Sequence, residues 1–329
     1  MHCLVTGGAG FIGSHLTERL LSHGHTVAVI DNCSTGRLEN LAHLKDQDGL
    51  SVHVGDINDP AVLGAAIDGA GWVFHLAALA DIVPSIEQPM AYMHANVDGT
   101  LAVLEAARAC GVKRFVYAAS SSCYGIPDVY PTPETAETRP QYPYALSKYL
   151  GEQCVMHWCQ LYGLPAVSLR MFNIYGPRSR TSGTYGAVFG VFLAQKLAGE
   201  PYTVVGDGTQ TRDFTFVGDA VAAFEAAAES NVSGEIMNIG SDNTYSVNRL
   251  VELLGGDVVH IPKRPGEPDC TYADTARIKK LLNWRAEVPF EDGVAIMLEN
   301  IDYWGEAPVW TTDKIAEATA GWFKYLDKK

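Results

Sequence analysis

The stretch Cys3–Gly13 reads CLVTGGAGFIG and decides the fold of the chain. An apolar run typical of a buried strand leads into Gly7, Gly10 and Gly13, and the following run Ser14–Leu21 is typical of a helix. In such a strand–turn–helix unit the glycines allow a tight turn, close approach of a pyrophosphate and close packing of helix on strand. The helix N-terminus adds unpaired N–H groups and a positive dipole end. The stretch therefore predicts a dinucleotide site.

A second apolar run, Thr26–Ile30, ends in Asp31, eighteen positions after Gly13. Dinucleotide-binding folds place an acidic residue about 20 residues after the glycines, where it accepts hydrogen bonds from the adenosine ribose. A carboxylate at this point repels a 2′-phosphate. Asp31 therefore favours NAD over NADP as the cofactor.

The bulk composition limits the classes of function. The 329 residues are 47% hydrophobic and carry a formal net charge of −14, which disfavours nucleic acid and anionic membranes as partners. No apolar run approaches the roughly 20 residues that cross a bilayer, and strand-forming residues follow the first methionine directly, without a signal-peptide pattern. Seven cysteines without a CxxC pair indicate a reduced, cytoplasmic protein with no metal site.

Strand and helix patterns alternate through the first half of the chain, which predicts an α/β fold with a doubly wound parallel sheet of the Rossmann type. Residues 1–172, with about 213–240, are expected to form the NAD-binding domain. Residues of about 173–212 and 241–310 are expected to form a smaller mixed α/β lobe that binds substrate. A helix is expected to occupy 311–329, capped by Thr312 or Asp313.

Tyr144 and Lys148 lie four apart in a predicted helix, Tyr142–Tyr162, and so share one face. A lysine ammonium beside a tyrosine hydroxyl lowers the tyrosine pKa from about 10 and makes a base for an alcohol proton. The same spacing recurs at Tyr325 and Lys329, so spacing alone is weak. The pair at Tyr144 gains weight because it follows a predicted strand end at Ser120.

Several motifs occur in a fixed order along the chain: TGGAGFIG (6–13), Asp31, HLAA (75–78), NVDGT (96–100), SSSCYG (120–125), the Tyr144–Lys148 pair and FNIYGPR (172–178). This set resembles the extended short-chain dehydrogenase/reductase family, and within it the nucleotide-sugar epimerases. The resemblance extends to about Trp304.

The resemblance implies a role for each matching position. Tyr144 would be the base, Lys148 its partner, and Ser120 the group that hydrogen-bonds the reacting sugar oxygen. Contacts with NAD would come from Gly7, Gly10, Phe11, Ile12, Gly13, Asp31, Asn32, Ser34, Thr35, Gly36, Asp56, Ile57, Leu76, Ala77, Ala78, Asn96, Ser120, Tyr144 and Lys148. Contacts with the nucleotide sugar would come from Ser121, Ser122, Asn173, Arg212, Arg264 and Thr271, the two arginines holding the diphosphate.

The resemblance also bears on the reaction. Dehydratases of the family carry Asp-Glu after the catalytic Ser or Thr, where this chain has Ser121 and Ser122. It therefore implies a 4-epimerase, in which C4 is oxidised, the 4-keto sugar turns, and C4 is reduced again. Three alternatives stay open: a UDP-glucuronate 4-epimerase, with Arg178 and Arg180 near the carboxylate; a dehydratase or 4-ketoreductase; and a non-catalytic NAD-binding regulator.

The sugar is less defined. The small residue Thr271 aligns with a position that restricts the N-acetyl pocket, so UDP-N-acetylglucosamine and UDP-N-acetylgalactosamine are expected as substrates beside UDP-glucose and UDP-galactose. Cys123 is expected to pack in the core. The resemblance further implies a homodimer in which helices Met90–Cys110 and Tyr142–Tyr162 form a four-helix bundle.

Overall fold

The computed structural model describes residues 1–179 and 187–327. The strands are β1 (His2–Thr6), β2 (Thr26–Asp31), β3 (Leu50–Val54), β4 (Trp72–His75), β5 (Arg114–Ser120), β6 (Ala166–Met171), β7 (Ile174–Tyr175), β8 (Tyr202–Val205), β9 (Thr211–Arg212), β10 (Thr215–Phe216), β11 (Glu235–Ile239), β12 (Tyr245–Ser246) and β13 (Val258–Ile261). The α-helices are α1 (Phe11–Ser22), α2 (Pro60–Ile67), α3 (Ile82–Glu87), α4 (Pro89–Met93), α5 (Gly99–Cys110), α6 (Pro143–Tyr162), α7 (Val188–Ala198), α8 (Val217–Glu229), α9 (Val247–Leu254), α10 (Ala276–Leu282), α11 (Phe290–Glu299) and α12 (Thr312–Leu326).

A seven-stranded parallel sheet organises the molecule, in the order β3-β2-β1-β4-β5-β6-β11. Thr6 pairs with Ile30 on one side and with His75 on the other, so the carboxyl ends of β2, β1 and β4 are level. The strand order reverses between β1 and β4, where such folds bind ligands. The prediction of a doubly wound parallel sheet is confirmed.

Helices cover both faces of this sheet. On one face α1 and α8 pack through Leu16, Leu20 and Phe224, which are fully buried. On the other face α2, α5 and α6 contribute residues such as Leu104 and Val155. Burial on both faces explains why the central strands read as continuous apolar runs in the sequence.

The predicted helix Met90–Cys110 is interrupted. It consists of α4, a π-helical turn at His94–Asp98, and α5. The wide turn carries Asn96, whose side chain is buried against the neighbouring loop and α6. Such π turns occur mostly as single turns within helices and often at functional sites.

The region beyond β6 contains short strand pairs: β7 with β10, β8 with β13, and β9 with β12. A separate apolar core there includes Phe192, Phe290 and Trp304. The predicted C-terminal helix is present as α12, but its cap is Thr311, whose hydroxyl accepts the Lys314 N–H at 3.4 Å. The sequence offered Thr312 or Asp313 instead. Among the described residues, no helix combines the length and apolarity needed to span a membrane.

Candidate active site

A cavity of about 630 Å³ opens at the carboxyl ends of the central strands. Its lining includes most of the predicted cofactor residues: Gly7, Gly10, Phe11, Ile12, Gly13, Asp31, Asn32, Ser34, Thr35, Gly36, Asp56, Ile57, Leu76, Ala77, Ala78, Tyr144 and Lys148. Residues that the sequence did not single out also line it, among them Arg37, Asn40, Leu79, Tyr303 and Trp310. Tyr303 and Trp310 come from the far end of the chain, and no local motif marks them.

The glycine turn leaves no room for side chains. Gly7 has a φ of +69°, and a Cβ at this position would lie 2.8 Å from the backbone N of Ala77. A Cβ at Gly13 would lie 2.1 Å from the carbonyl oxygen of Gly7. The backbone of the turn is therefore exposed to the cavity at the N-terminus of α1. This cradle fits the pyrophosphate of a dinucleotide.

Asp31 lines the cavity and is 8% exposed. Its carboxylate accepts hydrogen bonds from the backbone N–H groups of Ala9, at 3.0 Å, and Cys33, at 2.8 Å. Burial raises the pKa of Asp31, and these backbone donors oppose the rise. The carboxylate is thus held in a fixed position at the end of β2, where it fits a ribose diol.

Two tyrosines and two serines lie close together at this point. Ser120 Oγ donates to Ser122 Oγ at 3.1 Å, and the nearby hydroxyls of Ser120 and Ser122 act to lower the pKa of Tyr144 and of Tyr142, respectively. The rings of Tyr142 and Tyr144 stack with centroids 6.4 Å apart and planes at 8°. Ser120 is not among the cavity-lining residues, but it contacts Tyr144, which is.

The predicted effect of Lys148 on Tyr144 is wrong for the protein alone. Burial raises the pKa of Tyr144, and the nearby Ser120 hydroxyl offsets this only in part. Lys148 Nζ lies 4.3 Å from the centroid of the Tyr117 ring, and burial lowers the lysine pKa to about 7. Desolvation penalises a charge on either residue, and this penalty was not visible in the spacing.

One turn beyond Lys148, a buried ion pair supports α6. Glu152 and Arg170 lie 2.6 Å apart and are 1% and 4% exposed, and Glu152 also accepts the Ser168 hydroxyl. The negative charge of Glu152 opposes the fall in the Lys148 pKa. Sequence reasoning missed this pair, although Glu152 continues the four-residue spacing of Tyr144 and Lys148.

Asn96 differs from its predicted role. Its amide accepts the Leu79 N–H at 2.8 Å and donates to Leu79 O and Ser147 Oγ, both at 2.9 Å. Asn96 does not line the cavity, whereas Leu79 and Ala95 do. Its side chain therefore ties the cavity wall to α6 instead of pointing at the space for the cofactor.

The predicted substrate residues form two groupings, with Arg212 and Arg264 meeting at one carboxylate and Thr271 bonded to Asn173. Arg212 Nη2 lies 2.8 Å from Glu267 Oε1, and Arg264 Nη1 lies 3.7 Å from Glu267 Oε2. Arg212 and Glu267 line a cavity of about 490 Å³. Thr271 Oγ1 donates to Asn173 Oδ1 at 2.7 Å. Ser121 and Ser122 begin the 3₁₀ turn Ser121–Tyr124 after β5.

The resemblance offered two arginines, Arg178 and Arg180, as ligands of the carboxylate of a uronate substrate. Arg178 pairs with Glu18 on α1 at 2.5 Å, and its guanidinium also contacts His15. Arg178 lines the large cavity. Arg180 lies outside the described residues.

Cys123 is 2% exposed and packs with Tyr124, Phe172 and Ala273. Burial raises the pKa of its thiol to about 12. The prediction that Cys123 packs in the core is confirmed.

The geometry agrees with comparisons to known proteins. The model of the NAD dependent epimerase/dehydratase family matches residues 3–240. The chain belongs to this family. It is therefore an NAD-dependent enzyme of the epimerase/dehydratase class, and NAD is its cofactor.

The relatives with known names place the chain among the nucleotide-sugar enzymes of this family. The UDP-glucose 4-epimerase of Mycolicibacterium smegmatis is 36% identical over 91% of this chain and 98% of its own length. The crystal structure of UDP-glucose 4-epimerase from Thermotoga maritima with UDP-glucose has a TM-score of 0.86 and 34% identity, over 92% of this chain and 99% of that one. The UDP-glucuronic acid 4-epimerase of Bacillus cereus, with UDP-glucuronic acid and NAD, has a TM-score of 0.86 and 31% identity over the same shares.

Proposed function

We propose that this enzyme is a UDP-hexose 4-epimerase that interconverts UDP-glucose and UDP-galactose. The observation that carries the proposal is the placement of Ser120 beside Tyr144, which lines the NAD cavity, with Ser121 and Ser122 following Ser120 in the chain. Expulsion of a sugar hydroxyl, as in a dehydratase, needs a general acid and a base beside the neighbouring carbons. Serine hydroxyls at their ordinary acidity do not replace a carboxyl pair.

Tyr144 is proposed as the group that, in its phenolate form, takes the proton of the sugar 4-hydroxyl and later returns it. Ser120, which lies beside Tyr144, hydrogen-bonds the same sugar oxygen. Lys148, with a pKa of about 7, is poised to exchange a proton near neutral pH. NAD, when bound, supplies the oxidising and reducing capacity at C4.

Epimerisation requires the sugar to present both faces while the nucleotide stays bound. Arg212 and Arg264 converge on the Glu267 carboxylate, which shows that their guanidinium groups reach one anionic position. We propose that the substrate diphosphate binds this pair. Anchoring of the diphosphate away from Tyr144 would leave the sugar ring free to turn.

A second candidate function is a 4-epimerase that also accepts N-acetylated UDP-hexoses. Thr271 is partly exposed and hydrogen-bonds Asn173 with its hydroxyl, so a small side chain stands where a tyrosine would fill space. This observation supports acceptance of N-acetylhexosamines. A UDP-glucuronate 4-epimerase stays an alternative, since Arg178 lines the large cavity, where it pairs with Glu18.

The test is incubation of the purified protein, without added cofactor, with UDP-glucose, UDP-N-acetylglucosamine and UDP-glucuronate in separate tubes. The configuration at the sugar C4 is followed by NMR. We expect inversion with UDP-glucose, and a smaller or equal rate with the N-acetylated sugar. Inversion of UDP-glucuronate alone, or no inversion of any sugar after NAD⁺ is added, would contradict the proposal.

The homodimer also stays a proposal. Large apolar side chains are exposed on the two helical segments expected to form the bundle: Met90, Leu146, Leu150 and Leu161. Such a patch is typical of an interface. Leu150→Lys is expected to shift the protein from dimer to monomer in light scattering, whereas Leu197→Lys, at an exposed leucine of α7, should not.

A further inference from the structure

The C-terminal helix α12 lies outside residues 3–240, the part of the chain that the family model matches. The relatives described above match 91% or 92% of this chain. The contacts of α12 show what this helix contributes to the folded chain.

Helix α12 is firmly attached at both ends. Near its start Ile315 is 3% exposed and belongs to the apolar core that includes Phe192, Phe290 and Trp304. Near its end Trp322 is 4% exposed, and its indole Nε1–H donates to the carbonyl oxygen of Pro265 at 2.7 Å. Gly266 lies beside Leu326. The last turns of the helix therefore bind the loop that carries Arg264 and Glu267.

The Trp322 ring touches two groups of the candidate active site. The guanidinium carbon of Arg264 lies 5.6 Å from its centroid, within the range of a cation–π contact. The centroid of the Tyr142 ring also lies 6.3 Å from that of Trp322, and Tyr142 stacks on Tyr144. One side chain of α12 therefore joins the proposed diphosphate arginine to the tyrosine next to the proposed base.

We propose that Trp322 is a positioning residue for the nucleotide diphosphate of the substrate and that α12 completes the substrate site in this chain. The inference rests on the proposed function, in which Arg264 binds the diphosphate. Trp322 holds the Arg264 guanidinium on its face and fixes the loop backbone through Pro265. Without the ring, Arg264 would have to be ordered at the moment of binding, which weakens affinity.

The experiment compares Trp322→Leu, which keeps an apolar side chain, with Trp322→Phe, which keeps a ring but loses the N–H donor. Tyr325→Ala, at an exposed aromatic of the same helix, is the matched control. The dissociation constant of UDP is measured by calorimetry on protein with its NAD retained. Bound NAD, melting temperature, KM and kcat with UDP-glucose are measured beside it.

For Trp322→Leu we expect UDP affinity to fall about 10-fold and KM to rise by a similar factor, with kcat and NAD content near wild type, because binding alone is lost. Trp322→Phe should recover most of the affinity, and Tyr325→Ala should match wild type. Arg264→Ala should weaken UDP binding, and adding Trp322→Leu to it should cost little more, because the two act as a unit.

Unchanged UDP affinity in Trp322→Leu overturns the inference. So does a full additional loss in the double variant, or a fall in kcat and NAD content together with affinity, since each shows general support of the fold. If Trp322→Leu does not fold, Trp322→Phe takes its place: a small loss of UDP affinity that disappears when Arg264→Ala is added supports the inference, and no loss overturns it. If UDP binding weakens as expected but UDP-glucose is not epimerised, the proposed function fails and the role of Trp322 stands.

Discussion

The NAD cavity and the proposed diphosphate site are built in different ways. Much of the NAD cavity comes from one continuous stretch, β1 to β3, whose glycine turn and Asp31 lie within 31 residues of the N-terminus. The diphosphate site draws Arg212 from β9, Arg264 from the loop after β13, and Trp322 from α12. These three residues meet only when distant segments fold together.

Because of this difference, the two regions should tolerate different kinds of substitution. In the NAD region, backbone geometry creates the site, so an added atom in the glycine turn should be more harmful than a changed side chain. In the diphosphate site, side chains and their ion pairs create the site, so affinity and sugar choice should change without loss of the fold. Four predictions test this contrast, in order of expected effect.

Tyr144→Phe should separate catalysis from cofactor binding. Loss of the hydroxyl is expected to lower kcat by about 10³-fold, in the range of general acid–base contributions, while NAD stays bound. Turnover with UDP-glucose and NAD content measure the two effects. Tyr325→Phe, at the second YxxxK sequence, is the control and should be unaffected; full activity in Tyr144→Phe would refute the assigned base.

Gly13→Ala should break the NAD region alone. The new Cβ would lie 2.1 Å from the carbonyl oxygen of Gly7, and relief of this clash must move the turn. We expect most of the bound NAD to be lost and the free energy of unfolding to fall by roughly 1–3 kcal/mol. Gly64→Ala in α2 is the control, because a Cβ added at Gly64 would have no neighbouring atom within 4 Å. Equal NAD content and equal stability in the two variants would contradict the role of the turn.

Thr271→Tyr should change the substrate region alone. The larger ring would fill the proposed N-acetyl space and remove the hydrogen bond to Asn173. We expect kcat/KM for UDP-N-acetylglucosamine to fall by about 10-fold more than kcat/KM for UDP-glucose. Thr271→Ser keeps a hydroxyl and should keep the wild-type ratio. An unchanged ratio in Thr271→Tyr would show that this position does not restrict the sugar.

The prediction with the smallest effect at neutral pH concerns His75, the last residue of β4 in the central sheet. His75 is fully buried between Thr6 and Thr100, and burial lowers its pKa from 6.5 to about 3. Below pH 6.5 the unfolded chain binds a proton that the folded protein does not. Stability should therefore fall as pH falls, by up to about 1.4 kcal/mol per pH unit from this residue.

Urea unfolding between pH 7 and pH 4.5 measures this loss. His75→Gln removes the titrating group and should give a flatter dependence on pH, from a lower starting stability. The same slope in both proteins would show that His75 does not contribute.

The candidate site was predicted from the sequence unevenly, for physical reasons. The cofactor residues between Gly7 and Ala78 line one cavity, because their roles follow from local turns and strand ends. The pKa of Tyr144 was predicted in the wrong direction, because burial is a property of the packed molecule. Asn96 and Arg178 have partners, Leu79 and Glu18, that no spacing indicates.

By itself, the sequence determined the parallel sheet, the glycine turn, Asp31 and the shared face of Tyr144 and Lys148. Apolar periodicity, glycine and the helical repeat act over a few residues, and so they can be read locally. Only the tertiary structure decided which charges are matched, how desolvation moves the pKa values of Tyr144 and Lys148, and that Trp322 reaches Arg264. Those outcomes depend on which distant groups the fold brings into contact and on how much water it excludes.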